Sequence, residues 1–292
     1  MSKIMPKASE LLIKTENWLT DVTGNPQIKQ KLWEEIKSFL AYKQLISEPI
    51  NVLDHGFVRL VDYMGNDLSI VRAARVSYNA DWRTGEDEGK DEKLIRYLLV
   101  NRHTSPFECV KFTFEFKAPI FVLRQIDRHR TMDDPTNFIG LAYEKYWSYS
   151  EVSARYTELP EEFYIPEATQ ITTQSKDNKQ MRTEEFHPFA DSLRQVMYRQ
   201  NHDAFFIYKS LLKDGCPREL ARSVLPTATY TRFFGSVDLH NLLLFLSLRL
   251  HKHVQYETRV YAEAILNIIR HVVPITINHW LILHPELGET HG

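Results

Sequence analysis

The apolar positions of this chain switch between helical and strand spacing several times. Over residues 8–19 and 28–45 they recur three and four apart, with Gly24-Asn25-Pro26 as a turn between, which predicts a helical N-terminal extension over residues 1–48. The body, residues 49–292, opens on strand-like Val52-Leu53 and residues 57–61, with His55-Gly56 as the break. Residues 69–76 predict a short helix carrying Arg72 and Arg75, residues 81–91 an acidic loop, and residues 92–101 a helix through Leu94, Tyr97 and Leu98. Ser105-Pro106-Phe107-Glu108 has the form of a capping box with proline at the first helical position, opening a brief helix. Val110, Phe112, Phe114 and Phe116 then alternate with Lys111, Thr113 and Glu115, as a half-buried strand does.

Beyond Pro119, residues 120–130 predict a helix, and residues 168–187 are polar and irregular, a surface excursion. Residues 191–212 carry an amphipathic helical pattern, and residues 217–225 a shorter helix ended by Pro226. Strand character returns in 226–237. Asp238 suits the cap of a helical region reaching residue 273, broken once and stopped by Pro274. The pattern is α+β: a helix-rich single domain around a small mixed or antiparallel sheet.

Composition narrows the function. A net charge of -2 over 292 residues excludes a broad basic face for a nucleic-acid polymer. The longest apolar run, residues 242–246, is too short to span a bilayer, and Met1-Ser2-Lys3 does not read as a secretory signal. Two cysteines, Cys109 and Cys216, supply neither a disulfide framework nor a four-cysteine zinc site, and point to a reducing, cytoplasmic setting. Glycine is scarce, with 10 in the chain, and neither G-x-G-x-x-G nor a P-loop occurs, so any nucleotide is held without those loops.

Against that near-neutral background, Arg124-Gln125-Ile126-Asp127-Arg128-His129-Arg130 is a cationic cluster. Arg124 and Arg128 fall one helical turn apart, where like charges repel by a few tenths of a kcal/mol, so a bound anion explains them. The competing reading is a solvated arginine face paired to acids elsewhere. Ser148-Tyr149-Ser150-Glu151-Val152-Ser153-Ala154-Arg155-Tyr156 adds hydroxyls, a carboxylate and an arginine; alone it would pass for an exposed loop. Arg218 and Arg222 are again four apart, and Arg249 ends an otherwise apolar helix, where it must snorkel or meet a partner. His103 sits at a helix–turn junction, where a cap or a packed side chain is the competing role. His251 and His253, two apart on a helix, would diverge and make no metal pair. Both cysteines read as structural.

These motifs, in this order, resemble flavin-dependent thymidylate synthases. The family signature joins an Arg-His-Arg to a Ser-x-Asn-Glu-x-Ser-x-Arg-Tyr segment, here residues 128–130 and 148–156. Further matches are Met64-Gly65-Asn66-Asp67, Ala73-Ala74-Arg75-Val76-Ser77, His103-Thr104-Ser105-Pro106-Phe107-Glu108, Ala118-Pro119-Ile120-Phe121-Val122, Glu162-Phe163-Tyr164-Ile165-Pro166, Arg218-Glu219-Leu220-Ala221-Arg222 with Leu225-Pro226, Tyr230-Thr231-Arg232-Phe233-Phe234, and Phe245-Leu246-Ser247-Leu248-Arg249. The resemblance covers roughly residues 50–285 and implies a single catalytic domain.

It also implies a homotetramer with shared active sites, FAD bound in an extended groove, and transfer of a one-carbon unit from methylenetetrahydrofolate to C5 of dUMP, with NADPH reducing the flavin. Carried over position by position, it implies substrate contacts at Gln125, Ile126, Asp127, Arg128, Glu151, Val152, Ser153, Ala154, Arg155, Arg222 and Arg249. Flavin contacts fall at His103, Ser105, Arg128, His129, Arg130, Glu151, Asp238, Leu239, His240 and Leu244. Arg249 and His103 would be the catalytic pair, and no metal is implied. The chain departs from the family in four places: an insertion of about 15 residues, 133–147, within the signature; Ser150 in place of asparagine; Asp127 where an aromatic is common; and Leu244 where a hydrogen-bonding side chain is usual. Asp238 and His240 also stand in for a commoner Asn/Arg pair. Two alternatives remain open at this stage: a related flavoenzyme acting on another uridylate, or a non-catalytic flavin- or nucleotide-binding relative.

Overall fold

The computed structural model describes residues 48–128, 147–179 and 181–288. The helical extension expected over residues 1–48 falls outside these, as do His129, Arg130 and insertion residues 133–146.

An antiparallel five-stranded sheet organises the fold, in the order β1-β2-β3-β7-β4. Its strands are β1 (Ile50–Val52), β2 (Gly56–Met64), β3 (Lys111–Pro119), β4 (Ser148–Glu151) and β7 (Tyr230–Asp238). β3 is central because its alternation is the strongest: Phe112, Phe114 and Phe116 are buried on one face. Val58 and Leu60 of β2 stand opposite Phe116 and Phe114. On that face Trp147, 4% exposed, packs between Phe114, Phe116 and Phe245. Gly235 of β7 makes room for it, since a Cβ there would lie 2.8 Å from the indole. The sequence reading placed Trp147 at the end of the insertion; the structure returns it to the core.

The opposite sheet face is polar. Glu115, 3% exposed, bridges Arg59 of β2 and Arg232 of β7. Burial alone would raise its pKa, but hydrogen bonds from Arg232 and Arg59 outweigh it and hold the carboxyl below its usual range. Its stabilising contribution is therefore present at neutral pH and lost as pH falls through that depressed value. Glu115→Gln should cost about 1–2 kcal/mol near pH 7, because two partly exposed arginines would then face each other unneutralised. Urea midpoints measured from pH 7 down to pH 3 should show the gap to wild type closing; a gap independent of pH would refute this.

The helices are α1 (Asp67–Val76), α2 (Glu88–Val100), α3 (Ile120–Asp127), α4 (Ala190–Lys213), α5 (Arg218–Ala221), α6 (Leu239–Arg249), α7 (Tyr256–Ile269), α8 (Pro274–Leu283) and α9 (Pro285–Gly288). Asn66 caps α1 in a capping box with Ser69. No such box exists at Ser105: residues Ser105–Cys109 form a 3₁₀ turn with no side-chain cap, too short to use one. Asp238 does cap α6, accepting from Asn241 N at 2.9 Å.

Three expectations change. Residues 168–187 are not irregular: β5 (Thr172–Gln174) and β6 (Arg182–Phe186) form a hairpin, tied down by Arg182 to Glu257 at 2.7 Å. The one break expected in the helical region after Asp238 falls at residues 250–255, but His251 and His253 sit in that turn and not on a helix, with ring centroids 4.8 Å apart, so they do not diverge as helix residues would. Pro274 starts a helix instead of stopping one. Asp67 supplies the cap, accepting from Ile275 N at 2.9 Å and from Thr276 N and Oγ1 at 3.0 and 2.6 Å. Proline suits the first helical position because its missing N–H has no partner there.

A second cluster lies under α4, where Phe205, Tyr208 and Ala221 pack on Phe163 and Ile165. Taken together, the structure bears out the α+β class with an antiparallel sheet.

Candidate active site

The chain turns directly from β3 into α3. Ile120 N and Phe121 N donate to Thr229 O and Thr227 O ahead of β7, which sets the helix's direction. Val122, Leu123 and Ile126 face the core, so Arg124 and Arg128 fall on the exposed side and Gln125 and Asp127 on the flank. Ile126 therefore has only backbone atoms to offer a ligand.

Arg249 is brought to Gln125 from 124 residues away: its Nη2 donates to the Gln125 carbonyl at 3.4 Å. Its Nε is buried with no partner, and among the described residues no carboxylate pairs with it. Burial pushes the guanidinium below its usual pKa. Arginine stays protonated in proteins, so the effect is a poorly compensated cation, suited to an anion that arrives. Its position in the last turn of α6 offsets part of the cost.

The Gln125 side chain is held from α7. Thr258 Oγ1 donates to Gln125 Oε1 at 2.9 Å, and Gln125 Nε2 donates to Gln255 Oε1. Beside them Glu257, almost fully buried, accepts from Tyr164 and Arg182. Burial and the Glu257 charge push the Tyr164 hydroxyl far above its usual pKa, so it stays a donor. Neither Gln255 nor Thr258 was singled out in the sequence. The polar run 255–258 inside an apolar helical region was the available signal.

The hydroxyl-rich segment divides into a strand and a turn. β4 pairs with β7, Glu151 standing opposite Phe233. Phe233 stacks on Phe116 at 4.7 Å, so Glu151 lies on the sheet face that carries Trp147 and α6. Its Oε1 accepts from Thr231 Oγ1 at 2.8 Å. Ser150 points to the polar face, opposite Phe234. Val152 N donates to Arg232 O, after which Tyr156 N and Thr157 N both return to Ser153 O. In this turn Ala154 is buried and Arg155 exposed, its guanidinium 5.3 Å from the Tyr156 ring. Arg222 stands exposed on a 3₁₀ turn, Arg222–Val224, after α5.

His103, Ser105, Asp238, Leu239, His240 and Leu244, six of the residues expected to meet flavin, gather toward the other end of β3, whereas Arg128 follows α3 and Glu151 lies on β4. His103 and Ser105 are exposed around the 3₁₀ turn, His103 edge-on to Tyr97 at 5.7 Å. This turn joins the start of α6 through Leu239 N donating to Val110 O at 2.8 Å. His240 and Leu244 are half-buried there. Leu239 is fully buried and its N–H is engaged, so it belongs to the core. The Asp238 carboxylate is engaged in capping. The Ser105 hydroxyl and the His103 and His240 imidazoles there fit an anionic aromatic cofactor by the chemistry of their donors.

Residues 59–275 match the family model described as "Thymidylate synthase complementing protein". The chain is 42% identical over 257 residues to the flavin-dependent thymidylate synthase of Wolbachia pipientis, covering 87% of this chain and 81% of that one. It is 46% identical over 240 residues to that of Thermus thermophilus, covering 82% and 80%. Among solved structures it is similar to the UMP/dUMP methylase PolB of Streptomyces cacaoi bound with 5-Br dUMP, with a TM-score of 0.68, 33% identity, and 80% and 97% of the two chains covered.

Proposed function

Because this chain belongs to the flavin-dependent thymidylate synthases, we propose that it converts dUMP to dTMP with methylenetetrahydrofolate as carbon donor and NADPH as reductant of FAD. The observation that carries this reading is Arg249, a half-buried guanidinium with no carboxylate partner among the described residues, held at the Gln125 carbonyl.

C5 of a uracil becomes nucleophilic as negative charge develops along N3 and O4. A fixed cation at that ring edge stabilises the charge without changing its own protonation. Arg249 takes that role, and Gln125 beside it offers its amide to the base or sugar. Ser153 and Arg155, at one turn of chain, together with Arg222, suit the phosphate, which guanidinium groups bind in a bidentate way. The sequence signature assigns Arg128 and Glu151 to both ligands, and His103, Ser105 and His240 would hold the flavin; His129 and Arg130 join that set from the same signature. The flavin, once reduced, supplies the hydride that completes the methyl group.

Val196, Phe206 and Ile207 stand exposed on α4, and apolar side chains of that size in solvent mark a covered face. They support a subunit contact of the kind a homotetramer with shared active sites would have; sedimentation of the purified protein tests the tetramer, and a monomer would overturn it. Among the described residues no helix is long and apolar enough to cross a membrane. The unpaired Cys109 and Cys216 support a cytoplasmic setting.

The deciding experiment incubates purified protein with FAD, NADPH, methylenetetrahydrofolate and either dUMP or UMP, then weighs the nucleotide product. dTMP from dUMP is expected. PolB is named for both UMP and dUMP, so both belong in the assay. Methylation of UMP alone would favour the other uridylate, and bound flavin without turnover would mean a non-catalytic relative.

A further inference from the structure

Thr258 is 0% exposed, on the first turn of α7. A buried hydroxyl needs a partner, and threonine on a helix commonly takes a carbonyl of its own preceding turn. Here Thr258 turns outward and donates to Gln125 Oε1 at 2.9 Å, a residue 133 positions earlier. The far side of the Gln125 amide donates to Gln255 Oε1. The two ends of a glutamine amide have nearly the same shape but opposite hydrogen-bonding character, so only their partners decide which end points where. With the oxygen held by Thr258, the nitrogen keeps one hydrogen for a ligand after Gln255 has taken the other.

We infer that Thr258 is a positioning residue for the pyrimidine nucleotide, fixing the Gln125 side chain against α7 so that dUMP meets an amide already held in place. The inference rests on the reading above that Gln125 contacts dUMP.

The test uses the full-length, flavin-loaded protein. Thr258→Val keeps the shape and removes the hydroxyl; KM for dUMP should rise about tenfold, with kcat at saturating dUMP and bound flavin within about twofold of wild type. Thr258→Ser, which restores the hydroxyl, should restore KM. Gln125→Ala tests the underlying reading and should raise KM at least as far as the valine variant. A raised KM in Gln125→Ala with an unchanged KM in Thr258→Val would remove the positioning role. An equal defect in Thr258→Ser and Thr258→Val would assign the effect to methyl packing and overturn the inference. An unchanged KM in Gln125→Ala would show that Gln125 does not bind dUMP, and the inference would fall with it. Should the valine variant not fold, Thr258→Ala makes the same comparison with serine.

Discussion

Arg249→Ala is expected to lower kcat for dUMP methylation about 10²–10³-fold while the protein keeps its flavin. A cation that stabilises only the developing charge of the transition state contributes to kcat more than to ground-state binding. Arg249 has the required arrangement, with its Nη2 on the Gln125 carbonyl and its Nε unpartnered in a buried position. Arg249→Lys keeps the charge as a point on a flexible stem and loses the planar fork, so it should recover only part of the rate. Steady-state kinetics over a range of dUMP, with visible absorbance for bound flavin, make the test. Full activity in the alanine variant would leave the charge-stabilising role without support.

Trp147→Ala is expected to destabilise the fold by about 3–5 kcal/mol. For a domain of this size that corresponds to a thermal midpoint lower by about 10 °C. The indole fills the space above Gly235 and touches Phe114, Phe116 and Phe245, joining the sheet to α6. Trp147→Phe should retain part of the contact and fall between the two. Calorimetry on the three proteins checks the order. An alanine variant melting with wild type would show that the indole contributes nothing to the core.

What the sequence disclosed, and what it hid, follows from which partners are local. β3 was legible because Phe112, Phe114 and Phe116 alternate with Lys111, Thr113 and Glu115. α4 was legible from its helical period, and the α6 cap from Asp238 directly before an apolar run. β4 was missed because all four of its residues are exposed, so no alternation exists to read. The β5–β6 hairpin failed for a similar reason: its stabilising contacts are a Thr173–Thr183 hydroxyl pair and the distant Glu257.

The site shows the same divide. Arg249 signalled itself as a charge at the end of Leu242-Leu243-Leu244-Phe245-Leu246, and the cluster in α3 signalled an anion. That these two meet at the Gln125 carbonyl was beyond any local pattern, because 124 residues separate them. Gln255 and Thr258 acquire meaning only once α7 is laid beside α3. The family resemblance supplied the roles, and the structure supplied the neighbours.

The Asp67 cap on α8 bears on how the chain is made. Asp67 and Ile275, 208 residues apart, must meet before the carboxylate has its three donors. Synthesis proceeds from the N-terminus, so α1 emerges long before its acceptor side chain has anything to hold. Until α8 arrives, the Asp67 carboxylate lacks those three donors, and burying it would be costly. A nascent chain truncated before Pro274 should therefore leave α1 open to proteolysis even though the central sheet is complete, making the last helices the latch of the fold and not its trimming.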